Sequence, residues 1–432
     1  MRYQPLPNDF YRRNRQKLSE KLSPKSVVVI HSNDEFPISA DAKHPFRQNK
    51  DLVYLTGVDQ EETTLLLAPD HPNPQFREVL FLRETNGMIS TWEGKKLTQF
   101  EAIERTGIDN IQWNSGFEDI FHQVVMASEH IYLYQNEYDR GQSEVVGLND
   151  RFIESTKKRY PLHTYQRVAP LIHGLRTIKE KEELQPLKHA INLTKNALSE
   201  VLRNLQPGMY EYELEAILSK AFLEKGSRGF AYEPIVAGGI NSCVLHYITN
   251  DHILKDGDVV LMDVGAEYAN YNADITRVFP VNGAFSQRQK EVYTAVLRVK
   301  NYATSLLTPG LLLKDYQAQV VAFMEQQLIE LGLLDKGQLA SQSKENPLYR
   351  RYFMHGTSHF LGLDVHDVGS RHEPLEAGMI LTVEPGIYIK EEKIGIRLED
   401  DVLITENGFE NLSEEIPIEL SDVADWIHEC CR

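Results

Sequence analysis

Short apolar runs alternate with amphipathic stretches through the first third of the chain. SVVVIHS (26–32), DLVYLTGV (51–58), TTLLLAP (63–69), EVLFLR (78–83) and HIYLYQ (130–135) are rich in β-branched and large apolar residues and read as strands. Between them, LTQFEAIERTG and GFEDIFHQVVMA space their apolar residues along one helical face. Around QRVAPLIHGLRTIKEKEE (166–183) the texture changes. Two long helical runs follow, KHAINLTKNALSEVLRNL and EYELEAILSKAFLEKG, split by the turn signal Pro207-Gly208. Past Ser227 the chain is strand-rich, then helical from Gln287 to about Leu331, then strand-rich from Arg351 to the end. The pattern predicts an α/β domain over 1–174. Over 175–432 it predicts an α+β domain made of two αα-ββ halves of similar plan. A length of 432 residues, too great for one ordinary core, agrees with two domains.

Two of the predicted strands are interrupted by acids. In DVVLMDVGAEYANYNADITRVFPV (258–281), Asp263 sits inside an apolar run, and Asp274 opens the next one. A lone charge buried there costs several kcal/mol unless a cation or strong hydrogen bonds compensate it. A turn centred on Tyr268–Ala269 would set Asp263 opposite Asp274 across a hairpin, with Cβ atoms about 5 Å apart. MILTVEPGIYIKEEKIGIRLEDDVLI (379–404) repeats the device: Glu384 and Glu399 each lie seven residues from a turn at Glu391–Glu392. Four carboxylates sharing one pocket imply multivalent cations, two of them. The plainer alternative makes Asp263 and Glu399 structural acids, paired with Arg277 or Arg397. Two matched pairs beside a histidine cluster weigh against it.

That cluster is FMHGTSHFLGLDVHDVG (353–369). His355 and His359 would share an ion on a helix, but Gly356, Thr357 and Ser358 are poor helix formers. On extended chain four residues span about 13 Å, so one histidine is a ligand and the others act elsewhere. Spacing does not choose between them. His246, in GINSCVLHYITND, is a candidate from the first half.

Composition narrows the chemistry. Net charge is −17, from 46 basic and 63 acidic residues, and the one basic run, YRRNRQK (11–17), reads as part of a solvated helix. A phosphate-tracking surface needs a basic stripe, so nucleic acid is excluded as a partner. The apolar runs are too short to span a bilayer, and the first twenty residues have no apolar core, so neither a membrane span nor a secretory signal is expected. Cys243, Cys430 and Cys431 form no disulfide framework, which fits a reducing cytoplasm. No nucleophile elbow, P-loop, dinucleotide fingerprint or HExxH is present, and Cys243 near His246 lacks the electropositive surroundings of a reactive thiol.

With these blocks in hand the chain resembles the pita-bread metallopeptidases, the family of methionine aminopeptidase, prolidase and aminopeptidase P. VLHYITND, LMDVGAEYANYNADITRVFPVNG, HGTSHFLGLDVHDVG, LTVEPGIYI and GIRLEDDV fall in the family's order, across about 179–430. YRRNRQKLSEKL and FRQNKDLVYLTG are similar to the creatinase-like N-terminal domain shared by aminopeptidase P and prolidase, and HGTSH resembles the aminopeptidase P form. The resemblance implies Asp263, Asp274, His359, Glu384 and Glu399 as ligands of two divalent ions, most often Mn²⁺, with Co²⁺, Fe²⁺ or Zn²⁺ as alternatives. Asp274 and Glu399 would bridge, Asp263 would hold one ion, and His359 with Glu384 the other. Glu384 would also carry the proton. His246, His355 and His366 match substrate-facing histidines, and Tyr388 and Arg397 supporting residues. The segment between Tyr388 and Arg397 is shorter than the family pattern, which removes support for a substrate contact there. The activity implied is hydrolysis of the N-terminal Xaa-Pro bond of peptides by a homo-oligomer, dimer or tetramer. The alternatives are a dipeptidase restricted to Xaa-Pro, or a metal-free or non-catalytic protein on the same fold.

Overall fold

The computed structural model describes residues 3–138, 141, 144–339, 342–343 and 345–430, so Cys431 lies outside the described residues. The chain divides into two compact units, one of Pro5–Arg176 and one of Met1–Gln4 with Thr177–Arg432.

The first unit is built on a six-stranded mixed sheet. Its order is Ile111–Trp113, Glu78–Leu82, Thr64–Leu67, Ser26–His31, His130–Leu133, Thr164–Arg167. Val27, Val29, Leu66 and Phe81 pack from the sheet against Phe121, Val124 and Val125 of the helix Phe117–Met126, which lies within GFEDIFHQVVMA. One predicted strand is a helix. Asp51–Thr56 of DLVYLTGV lie in the helix Lys50–Thr56, where Asn49 Oδ1 accepts from the amides of Asp51 and Leu52. Gly57 ends the helix at φ +67°. The apolar content is real, since residues 51–56 are all buried, but the Asn before the run and the Gly after it are helix start and stop signals that override strand propensity. The basic run also departs from expectation. It lies on the helix Asn8–Ser19, yet Arg15 is fully buried, donating to Leu55 O at 2.9 Å and to Glu78 Oε2 at 3.2 Å.

The second unit repeats one plan. The helices Lys181–Leu202 and Glu211–Glu224 precede the three-stranded sheet Ile235–Gly238, Val259–Val264, Ile275–Pro280. The helices Gln287–Leu306 and Leu313–Glu330 precede the sheet Ile380–Val383, Asp400–Thr405, Gly408–Asn411. In each half the central pair of strands continues into a smaller ladder at its tip: Ala266–Tyr268 with Tyr271–Asn272, and Gly386–Ile389 with Ile394–Arg397. One buried cluster joins Leu261 and Val278 of the first half to Val383, Ile396 and Val402 of the second. Among the described residues no helix is long and apolar enough to cross a membrane.

The two hairpins treat the predicted registers differently. In the second, Gly386 pairs with Arg397 and Val383 with Asp400, so Glu384 and Glu399 are register partners about a turn at Glu391–Glu392, as expected. In the first, Asp263 pairs with Thr276 rather than Asp274. The turn is at Ala269–Asn270, both left-handed at φ +52° and +71°, the geometry that matches strand twist in a two-residue hairpin. Moving the centre by one residue moves the pairing by two, so Asp274 is diagonal to Asp263 and stays on the same face. Gly265 lets the chains close there, because a Cβ at this position would lie 1.7 Å from Ala273 O.

Candidate metal centre

The histidine segment runs as extended chain beside the strand Ile380–Val383. Leu361 N donates to Ile380 O, Thr382 N to His359 O, and Glu384 N to Thr357 O. This path carries His359 to the two hairpins. Its Nδ1 lies 2.9 Å from Phe360 O; donating there leaves the Nε2 lone pair aimed 3.3 Å from Asp274 Oδ2 and 3.8 Å from Glu384 Oε1. A backbone carbonyl fixing the tautomer in this way is the usual support for a metal-binding imidazole. Ligand atoms of Asp274, His359 and Glu399, all buried, lie within 4.8 Å of one another.

Asp263 and Glu384 flank this trio. Asp263 Oδ2 accepts from Arg397 Nη2 at 2.5 Å, so the ion pair of the plainer reading does form at this residue. Arg277 goes elsewhere: it donates to Asp400 Oδ1 and to the backbone carbonyl of Glu399, not to the Glu399 carboxylate. Arg397 also donates to Tyr388 Oη at 2.9 Å, and Tyr388 Oη lies 2.8 Å from His355 Nε2. The other ring nitrogen of His355 is 2.8 Å from Gly356 O, so both nitrogens are engaged within the protein. Burial, with Arg397 adding, pushes this imidazole down to about 4. His366 stands edge-on to His359 with ring centroids 4.4 Å apart, and it is exposed. His246 is also exposed, on irregular chain after the turn Gly239–Cys243. The nearby Cys243 thiol is buried and pushed up to about 11, as an unreactive thiol is.

The electrostatics fit cations. Burial, then the charge of Asp263, push Asp274 well above the usual carboxylate range. Burial, then Asp274 and Glu384, do the same to Glu399. Burial raises Glu384 to about 7 against the pull of His359 and Arg397. The protein's own positive groups leave these acids under-compensated. Tyr232 Oη contacts both Asp263 Oδ1 and Asp274 Oδ1. A phenol has one proton, so one of those contacts needs a proton on the acid or a cation beside it. Five donors, four carboxylates and one imidazole with its lone pair exposed, suit divalent ions of hard to borderline character.

Several supporting groups were not singled out from the sequence. Tyr232 lies outside any patterned element and gave no signal. Thr276 shares a strand face with Asp274 by its spacing, and its hydroxyl donates to Glu399 Oε2 at 2.5 Å and accepts from Arg397 Nε at 3.2 Å. Thr382 Oγ1 accepts from His359 N, and Asp401 Oδ2 from Asp274 N. Alternation along LEDD predicts that Glu399 and Asp401 face one way and Asp400 the other.

Two matched hairpins meeting in a carboxylate–histidine cluster define the pita-bread class of metallopeptidase, and the comparisons with known proteins agree. Residues 185–406 match the model of metallopeptidase family M24, and residues 11–134 match the aminopeptidase P N-terminal domain. The chain belongs to metallopeptidase family M24. It is 37% identical to an Xaa-Pro aminopeptidase of Escherichia coli (strain K12), over 94% of each chain. It is 31% identical to human Xaa-Pro aminopeptidase 3, covering 92% of this chain and 80% of that one. Among solved structures, Zn-substituted E. coli aminopeptidase P in complex with product superimposes with a TM-score of 0.89 at 35% identity, covering 99% of this chain and 100% of that one. The E. coli enzyme with the inhibitor Pro-Leu gives 0.88 at 36%, covering 99% of each.

Proposed function

We propose that this chain is an aminopeptidase that removes the N-terminal residue from peptides whose second residue is proline. Asp263, Asp274, His359, Glu384 and Glu399 would hold two divalent ions. The observation that carries the reading is the buried convergence of Asp274, His359 and Glu399 within 4.8 Å, with Glu384 3.8 Å from the same histidine. An oxygen-rich set with one imidazole favours Mn²⁺, with Co²⁺, Fe²⁺ and Zn²⁺ as alternatives. Bound ions of this kind supply an acidified water and a polarised carbonyl.

The chain's own groups do the rest. Glu384 takes a proton at a carboxylate oxygen and returns it to the leaving nitrogen. His366 and His246, on the exposed side, donate to the developing oxyanion, each donor contributing roughly 3 kcal/mol. His355 holds the Tyr388 hydroxyl, and Tyr388 with Arg397 fixes Asp263. Proline has no amide N–H at the scissile bond, so its selection rests on shape and apolar contact. A homo-oligomer in the cytoplasm completes the proposal; light scattering tests the assembly.

The deciding experiment compares an Xaa-Pro-Pro tripeptide with an Xaa-Pro dipeptide, with and without Mn²⁺ and after chelation. Metal-dependent cleavage of the tripeptide is expected. Clear preference for the dipeptide would replace this reading with the dipeptidase one, and indifference to chelators with a metal-free protein.

A further inference from the structure

A cavity of about 590 Å³ opens beside His355 and Ser358, which join it to the candidate centre. That volume lies in the range of small-ligand pockets. Its floor is apolar, with Leu313 and Phe353, and its walls carry Lys314, Arg350, Arg371 and His372. Among the described residues no Asp or Glu lines it, although the chain has a net charge of −17. Among the described residues, none of these four cationic or imidazole side chains makes an ion pair; Arg350 Nη1 reaches only the backbone carbonyl of Glu345, at 3.5 Å. Neighbouring Arg351, by contrast, pairs with Glu391.

The walls are held in register by backbone. Leu312 and Pro374 form an antiparallel bridge, Gly310 N donates to Leu375 O at 2.7 Å, and Leu375 N donates to Leu311 O at 2.8 Å. These bonds fasten the segment bearing Arg371 and His372 beside the start of the helix bearing Lys314. Tyr316 Oη lies 3.0 Å from Ser358 Oγ, tying the same helix to the histidine segment.

From this geometry we propose that the cavity receives the part of the substrate beyond proline and recognises a carboxylate there. That carboxylate is either the C-terminus of a short peptide or an Asp or Glu side chain. The inference rests on the peptidase reading above and adds a specificity to it. Guanidinium and ammonium donors recognise carboxylates with charge-assisted hydrogen bonds, and an unpaired cationic wall raises the encounter rate of anionic partners.

The test uses the full-length protein loaded with Mn²⁺ and two matched pairs. These are Ala-Pro-Ala as free acid against its C-terminal amide, and Ala-Pro-Ala-Glu-amide against Ala-Pro-Ala-Gln-amide. At least one acid should have a kcat/KM about threefold to tenfold above its neutral partner, through KM, and the margin should shrink as ionic strength rises. The pair that shows it identifies the source of the carboxylate. Lys314→Gln with Arg371→Gln should erase the margin while leaving turnover of Ala-Pro-amide unchanged, which also reports an intact fold. Equal values within each pair, or a margin that survives the double substitution, overturns the proposal. If no Xaa-Pro peptide is cut, the peptidase reading fails. The cavity is then decided by calorimetric binding of Pro-Ala-Glu against Pro-Ala-Gln-amide, in the native chain and the double variant.

Discussion

Glu399 and Asp400 are neighbours in the chain, both buried, and they are driven in opposite directions. Asp400 accepts from Arg277 at 2.7 Å and from Asn411 at 2.9 Å, and it contacts Lys300. Burial alone would raise it, yet Lys300 and Arg277 hold it down to about 2. Arg277 is satisfied in turn by the backbone carbonyls of Thr276, Glu399, Ile416 and Pro417. Glu399 points the other way, toward Asp263, Asp274 and Glu384, and is pushed far up. In the other unit Asp51 repeats the compensated case: Arg176 and His173 hold it near 2 against its burial. Burial therefore does not mark function here. What separates Glu399 from Asp400 is that the protein itself leaves Glu399 under-compensated.

The sharpest way to break this comparison is to substitute one acid of each kind. Glu384→Gln should lower kcat by about 10²–10⁴-fold, the usual worth of a proton-transferring group, with unchanged circular dichroism. Its metal-free melting temperature should not fall, because the amide removes a charge the site opposes. Asp400→Asn should do the reverse. Stranding Arg277 and Lys300 costs about 3–5 kcal/mol in urea denaturation, while the protein that stays folded keeps its turnover. Loss of activity in Asp400→Asn without loss of stability would erase the distinction.

Much of this contrast was legible in the sequence. Asp263, Asp274, Glu384 and Glu399 announced themselves by interrupting apolar runs, and one face of a hairpin is robust to an error in its turn. Numerical symmetry sets the first turn one residue early, whereas Asn270, tolerant of a left-handed backbone, marks the true centre. Asp274 stayed on the correct face because the resulting shift in pairing is even. In DLVYLTGV β propensity points to a strand, while Asn49 before it and Gly57 within it point to the helix that forms. The compensation itself was not legible. GIRLEDD places three acids in a row, and only tertiary contacts with Arg277 and Lys300 decide which one is neutralised by protein. Tyr232 was invisible for a related reason: it reaches Asp263 and Asp274 from irregular chain, where no periodicity points.

The titration of the two regions should also differ in sign. Glu384 has an ordinary value of 4.5 and sits near 7 when folded. Between those values the folded protein keeps a proton that the unfolded chain has released, so metal-stripped protein should lose stability as pH rises from about 4.5 to about 7. The slope for one such group is about 1.4 kcal/mol per pH unit. Asp400 works the other way. Its contribution is present above its ordinary value of 3.8 and is lost as pH falls toward about 2. Saturating Mn²⁺ should take the place of the proton, flattening the first slope and adding about 2.7 kcal/mol at a hundredfold excess over Kd. Thermal melts across pH with EDTA or Mn²⁺ measure both, and a flat profile in EDTA would contradict the under-compensation.

The smallest expected effect sharpens the comparison most finely. Tyr232→Phe removes the hydroxyl that touches both Asp263 and Asp274 and keeps the ring beside Gly265. If the hydroxyl were a structural tie like the partners of Asp400, the variant would lose stability equally with EDTA and with Mn²⁺. If it orients two ligands for a cation, the EDTA form should change by less than about 1 kcal/mol, because relieving a crowded acidic site offsets the lost hydrogen bond. Mn²⁺ affinity, read by calorimetry, should then fall about tenfold, at the lower end for groups that orient metal ligands. The difference between the two melts, rather than either alone, assigns Tyr232 to one region or the other.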